Sequence, residues 1–174
     1  MKHLFFVGCL GLSLAACQSM SPPTPVVQAS FDPQQAAFIR KHGDGTIKGV
    51  AFITDDHGRA HREGGETVRL IPASDYAKAR FDDLYNGAKF VAVQNYPKGV
   101  RIDPRYGTYM RTTKTLPNGK FIFTDVPPGH YYVATQVLWK PHDSSGAERG
   151  GAIYDTVQLN GHEDAPVSVI VSGT

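Results

Sequence analysis

Four short stretches hold side chains able to do chemistry, and Asp55-Asp56-His57-Gly58-Arg59-Ala60-His61 is the richest in metal-ligating types. Two histidines four residues apart share a face only on a helix, and Gly58 with Gly64-Gly65 makes this a loop. A loop without pre-formed ligand geometry reads as a solvated hairpin tip, so no metal site is expected at Asp55, Asp56, His57 and His61. His142-Asp143-Ser144-Ser145 has the letters of a hydrolytic triad, but neighbours in sequence cannot place base, orienting acid and nucleophile in one line. Tyr96, Arg101, Arg105, Tyr106, Tyr109 and Arg111 gather tyrosine and arginine around Gly107. Both types anchor protein interfaces, and tyrosine rings also stack on sugars. This stretch is the binding-site candidate. Trp139, alternating with Val137, reads as a core or rim residue.

The elements that must position these residues are mostly strands. Thr46 to Thr54 alternates with period two and is apolar on both faces; Thr67 to Ile71 is a second run, stopped by Pro72. Asp55 to Gly65 reads as a loop. Ser74 to Gly87 is the one helix inside the domain, with Ser74 as cap, Ala77, Phe81, Leu84 and Ala88 on its apolar face, and Asn86-Gly87 as its stop. Phe90 to Gln94 is a short strand, and strands follow over 108–115, 120–124, 131–139, 152–159 and 167–172. Leu116-Pro117-Asn118-Gly119, Asp125-Val126-Pro127-Pro128-Gly129 and Asn160-Gly161-His162-Glu163 are turns. A short N-terminal helix is expected after Asp32, with Pro33 in its first turn and Gln35 completing a capping box. About seven short strands joined by such turns imply an antiparallel β-sandwich.

Lys2 and His3 precede an apolar run ending in Leu14-Ala15-Ala16-Cys17, the build of a secretory signal and too short to span a bilayer core of ~30 Å. Leu-Ala-Ala-Cys resembles the lipobox of bacterial lipoproteins. That resemblance implies cleavage before Cys17, acylation of Cys17 by three fatty chains, and stable membrane attachment, since each buried methylene contributes ~0.8 kcal/mol. In such lipoproteins aspartate after the cysteine favours inner-membrane retention. Gln18 stands there, which implies the outer membrane, facing the periplasm. Residues 17–30, with Pro22, Pro23 and Pro25, read as a semi-rigid tether spanning up to roughly 40 Å.

The whole chain carries 18 basic and 16 acidic side chains, and the leader holds only Lys2 of these. A near-neutral domain argues against nucleic acid as a partner. With Cys9 in the leader and Cys17 acylated, residues 31–174 hold no cysteine at all. No disulfide or cysteine-bound metal supports the fold, and no cofactor is expected.

Asn118-Gly119-Lys120-Phe121-Ile122-Phe123, followed by Pro127-Pro128-Gly129 and Tyr131-Tyr132-Val133, resembles the carboxypeptidase regulatory-like domain, and Gly49-x-Ala51 resembles its first strand. The resemblance implies a mainly β fold: an antiparallel transthyretin-like β-sandwich of about seven strands, with one inserted helix at about residues 74–88. Such domains serve as accessory or binding modules. A hydrolase of that fold, 5-hydroxyisourate hydrolase, ends in Tyr-Arg-Gly-Ser, whereas this chain ends Val171-Ser172-Gly173-Thr174. The expectation is therefore a non-catalytic envelope lipoprotein: residues 1–16 a signal peptide, 17–30 a tether, 31–174 a sandwich. It binds or helps assemble a protein or cell-envelope polysaccharide. The alternative is a small envelope hydrolase or metal-binding protein using the 55–65 or 140–150 loops.

Overall fold

The computed structural model describes residues 29–141 and 146–173. The leader, Cys17, the tether up to Gln28 and His142-Asp143-Ser144-Ser145 lie outside the described residues.

Period-two alternation becomes strands wherever one face can be buried. Nine form among the described residues: β1 (Gly45–Thr54), β2 (Ala60–His61), β3 (Thr67–Pro72), β4 (Phe90–Ala92), β5 (Arg111–Lys114), β6 (Lys120–Val126), β7 (Gly129–Trp139), β8 (Arg149–Leu159) and β9 (Val167–Gly173). In one sheet β1 is central. β9 lies along one side of it, and β6 and the short β2 share the other. The second sheet runs β4-β8-β7-β3-β5. The two sheets enclose a core that includes Ile47, Ala51 and Ile53 of β1 with Val68, Leu70, Phe121, Phe123, Tyr131 and Val133. The alternation expected for Phe121, Phe123, Tyr131 and Val133 holds, each being no more than 5% exposed.

Two of the chain's crossings between the sheets fall at the Pro117 and Pro127-Pro128 turns. Pro117-Asn118-Gly119 reverses the chain, with Gly119 at φ 75°, yet β5 and β6 on either side of it belong to different sheets. The Pro127-Pro128-Gly129 corner carries the chain back, and the Tyr131 hydroxyl donates to the Pro127 carbonyl at 2.6 Å, fixing that corner inside the core. Gly49 leaves room for the Phe121 ring, which a Cβ there would meet at 2.2 Å.

Several elements depart from the sequence reading. The sandwich is antiparallel except for β1 and β9, which pair in parallel from Ile47↔Val167 to Ile53↔Gly173. Within the expected 55–65 loop, β2 pairs with the end of β1 through Ile53↔His61. The strand expected from Thr108 begins at Arg111, after a 3₁₀ turn over Tyr106–Thr108. The N-terminal helix is a single turn, α1 (Pro33–Ala36), running into a 3₁₀ turn over Ala37–Arg40. Asp32 caps it through the Gln34 N–H, but Gln35 completes no capping box. Its amide instead exchanges two hydrogen bonds with Asp75, at 2.9 Å each. That pins the N-terminal turn to the start of the long helix.

That helix, α2 (Asp75–Tyr85), is capped by Ser74 and stopped by left-handed Asn86 as its residues imply. Its buried face is Tyr76, Ala77, Phe81 and Tyr85; Leu84 is half-buried and Ala88 exposed. The face covers the outer side of the five-stranded sheet, where Phe81 stacks on Tyr132 at 4.1 Å and meets Tyr154 edge-on at 4.7 Å. A second apolar core thus forms from Phe31, Ile71, Tyr76, Phe81, Tyr85 and Tyr106. The outer side of the four-stranded sheet instead carries exposed Ile122 and Ile170.

Candidate functional site

The helix covers only part of the outer face of the five-stranded sheet, and the uncovered part is the floor of a recess of about 470 Å³. Arg69 and Ile71 of β3, Ala134 and Gln136 of β7, and Ala152 of β8 form that floor. One wall is α2, through Arg80, Phe81, Leu84 and Tyr85. The other is the connection between β4 and β5, which contributes Tyr96, Ile102, Tyr106 and Met110. Its volume and largely apolar lining suit a small-molecule site.

The connection is held in place by local chemistry. The Tyr76 hydroxyl accepts from the Asp103 N–H at 2.7 Å, tying the wall to the helix. Asp103 pairs with Arg105 at 2.8 Å, and the hydrogen bonds from Arg105 hold its carboxyl below the usual range. Phe31 meets Tyr76, Tyr106 and Tyr109 edge-on at 5.4–5.7 Å, so the N-terminal segment backs the same wall.

Two polar atoms in this wall are unpaid for. The hydroxyls of Tyr96 and Tyr106 are both shielded from solvent and have no hydrogen-bond partner of normal geometry among the described residues. Tyr106 is 6% exposed. Burial pushes its phenol up to about 12 against the opposing charge and loose hydrogen-bonding approach of Arg80, whose guanidinium lies 5.5 Å from the ring centroid and makes no hydrogen bond of normal geometry to the hydroxyl. Burial likewise raises Tyr96 to about 12, helped by the charges of Glu148 and Glu66. Buried hydroxyls are nearly always partnered, so two orphans in one wall are an unmet demand.

Of the sequence candidates, Tyr96 and Tyr106 come together at this recess. Arg101 is exposed and lines none of it. Arg105 is engaged by Asp103. Tyr109 lies under the Arg40 guanidinium at 3.7 Å. Arg111 is a structural clamp, donating to the carbonyls of Ile39 (3.1 Å), Lys41 (2.9 Å), Thr124 (3.3 Å) and Asp125 (2.8 Å). Sequence reasoning missed Arg69, Arg80 and Gln136. Arg69 shares with Ile71 the strand face that points away from the inter-sheet core, a signal the alternation did contain.

A second, more polar recess of about 690 Å³ lies at one end of the sandwich, lined among others by Asp55, Asp56, His57, His61 and Trp139. Asp55 is already saturated. It accepts from the backbone N–H groups of His57 and Arg59 and from the Arg59 guanidinium, and His61 Nε2 lies 2.9 Å from Oδ2. The His61 contact, foremost among these, holds the carboxyl well below the usual range. His61 stacks on Trp139 at 3.8 Å and 6°, closing the end of the core, so Trp139 is a rim residue. Among the described residues no group of three or more His, Cys, Asp or Glu side chains is arranged to hold a metal ion.

Fold and site together define a β-sandwich with a lateral recess built by a helix and a long connection. No family model matches the chain, and no curated protein matches it. A solved structure from Pseudomonas aeruginosa, of a protein proposed to bind carbohydrate, superimposes with a TM-score of 0.68 at 27% identity, over 83% of this chain and 98% of that one. The minor pilin GBS52 of Streptococcus agalactiae aligns at 12% identity with a TM-score of 0.36, over 75% of this chain and 45% of the pilin, a likeness too weak to argue from.

Proposed function

We propose that this chain is a non-catalytic, saccharide-binding lipoprotein of the bacterial envelope, with a transthyretin-like sandwich tethered to the outer membrane through acylated Cys17. The observation that carries the binding role is a pair of shielded hydroxyls, Tyr96 and Tyr106, in the wall of one recess, neither with a hydrogen-bond partner of normal geometry among the described residues. Sugars offer apolar C–H faces to aromatic walls and hydroxyls to polar side chains, and this lining supplies Phe81, Tyr85, Gln136 and the two phenols. The carbohydrate-binding role proposed for the Pseudomonas aeruginosa protein, whose length is matched almost throughout, supports the same ligand class. Turnover is disfavoured by the recess itself. Its titratable groups are two guanidiniums and phenols that remain protonated at neutral pH, neither suited to general acid–base work.

The test is a glycan array carrying bacterial envelope oligosaccharides, probed with the full chain. Wild type should retain at least one glycan, and Tyr96→Phe with Tyr106→Phe should weaken it by about tenfold without lowering the melting temperature, since each hydroxyl lost is one or more hydrogen bonds to ligand. Retention of none overturns the reading. The anchor is tested apart from the ligand: Cys17→Ser should abolish acylation, and a mature N-terminus other than modified Cys17 by mass spectrometry overturns it.

A further inference from the structure

Resting on the saccharide reading of the recess, we infer that the sugar unit it takes carries an anionic group, read by Arg69 and Arg80. Among the side chains that line the recess are two guanidiniums and no carboxylate. Neither Arg69 nor Arg80 has an ion-pair partner among the described residues, whereas four other cations, Arg59, Lys78, Lys89 and Arg105, pair with carboxylates at 2.6–2.9 Å.

The donor count points the same way. A guanidinium only donates, and a phenol whose hydroxyl lacks a partner has a proton to give. Gln136 gives one amide N–H to Glu66 at 3.1 Å and keeps the other, and the Thr135 hydroxyl donates to the Thr67 carbonyl at 3.0 Å. What remains unsatisfied is donor-rich, so the matching ligand is acceptor-rich. Most oxygens of a neutral sugar are hydroxyls that bring a proton of their own; a carboxylate brings two oxygens and no proton. A fork of N–H groups also fits a carboxylate in two parallel bonds.

The nearby acids do not cancel this charge. Glu66 and Glu148 act on Tyr96 but line no part of the recess, and Glu66 is held by Gln136. On α2, Asp82 is paired with Lys78 at 2.6 Å. Asp83 faces an adjoining hollow that shares Arg80, Leu84, Tyr96 and Ile102 with the recess.

Calorimetric titration of the full acylated chain in detergent, with glucose, glucuronate, glucose 6-phosphate and inorganic phosphate, separates the cases. Glucuronate should bind about tenfold or more tighter than glucose at low salt, and the preference should shrink as salt rises. Glucose 6-phosphate sharing the preference supports the inference and identifies charge rather than carboxylate shape as what is read. Arg80→Gln and Arg69→Gln, with melting temperatures unchanged, should reduce the preference toward unity by costing glucuronate far more affinity than glucose. Equal binding of glucose and glucuronate overturns this inference and leaves the saccharide reading standing. Inorganic phosphate binding as tightly as the charged sugars also overturns it, because the sugar then contributes nothing. Failure of every sugar overturns the saccharide reading and this inference together.

Discussion

Removing a single oxygen from Tyr106 should make the unliganded protein more stable. The ring is 94% buried and packs edge-on against Tyr76 at 5.0 Å and Phe31 at 5.7 Å, contacts that phenylalanine keeps. Its hydroxyl is shielded from solvent and has no hydrogen-bond partner of normal geometry among the described residues. Carrying a buried polar group without a partner costs about 1–3 kcal/mol, so Tyr106→Phe should recover a stabilisation of that order. For a domain of this size each kcal/mol is worth about 2–4 °C, which predicts a rise of roughly 2–12 °C. Tyr131 is the control. It is equally buried, but its hydroxyl donates to the Pro127 carbonyl at 2.6 Å. Tyr131→Phe leaves that carbonyl bare and should lose about 1–2 kcal/mol. Two chemically identical substitutions are thus expected to differ in sign, and differential scanning calorimetry of the unliganded variants reads the sign directly. If Tyr106→Phe melts below wild type, as Tyr131→Phe does, then the Tyr106 hydroxyl is satisfied in solution. The recess then has no unmet demand, and the case for a ligand there fails.

Three further perturbations test other parts of the structure. Gly49→Ala drives a Cβ into the Phe121 ring and should destabilise by about 1–3 kcal/mol in thermal unfolding, and an unchanged melting temperature would mean that the β1–β6 register is wrong. Arg111→Ala removes donors from four backbone carbonyls and should lower the melting temperature by several degrees without altering glycan retention. Arg111→Lys should fail to rescue it, because one ammonium cannot reproduce the fork; loss of retention at full stability would return Arg111 to the binding surface. Asp55 has its folded carboxyl held below its ordinary 3.8, so its ionised form adds stability above that value, lost as the pH falls through the lower folded one. Asp55→Asn should therefore melt below wild type near about pH 6, with the gap closing in strong acid, and a gap independent of pH would refute the linkage.

How much of this was legible depended on how local each cause is. Phe121, Phe123, Tyr131 and Val133 could be assigned to a core because a single buried face imposes period two on the residues themselves. Ser74 and Asn86 could be assigned as helix boundaries because capping is satisfied within a turn. Gln35 was misread for the complementary reason. The spacing from Asp32 permits a capping box, but Asp75, 40 residues away, offers the amide two bonds at once. The parallel direction of β9 is likewise set by where the chain arrives, not by Val167 to Gly173. β2 exists because the Asp55 carboxylate gathers the His57 and Arg59 amides into a tight turn and returns His61 to β1. Tyr96 and Tyr106 stood out by composition; their convergence with Arg69 and Arg80 depends on three elements meeting in space.

The recess follows from a feature that weakens the sequence signal. Strands β3, β7 and β8 are apolar on both faces: Leu70, Val133 and Ile153 point into the sandwich, while Ile71, Tyr132, Ala134, Ala152 and Tyr154 point out. A sheet with two apolar faces must bury both, or expose a patch that invites association. Here α2 covers the Tyr132 and Tyr154 end, where Phe81 and Tyr85 stack on those rings. An 11-residue helix is only about 16 Å long at 1.5 Å per residue, shorter than a sheet built of 11-residue strands. The cover therefore ends before the sheet does. Along the uncovered rows the residues change from ring and methyl to Arg69 and Gln136, and the connection from Val93 to Met110 closes the far side. The second apolar face thus accounts for both the helix layer and the recess beside it.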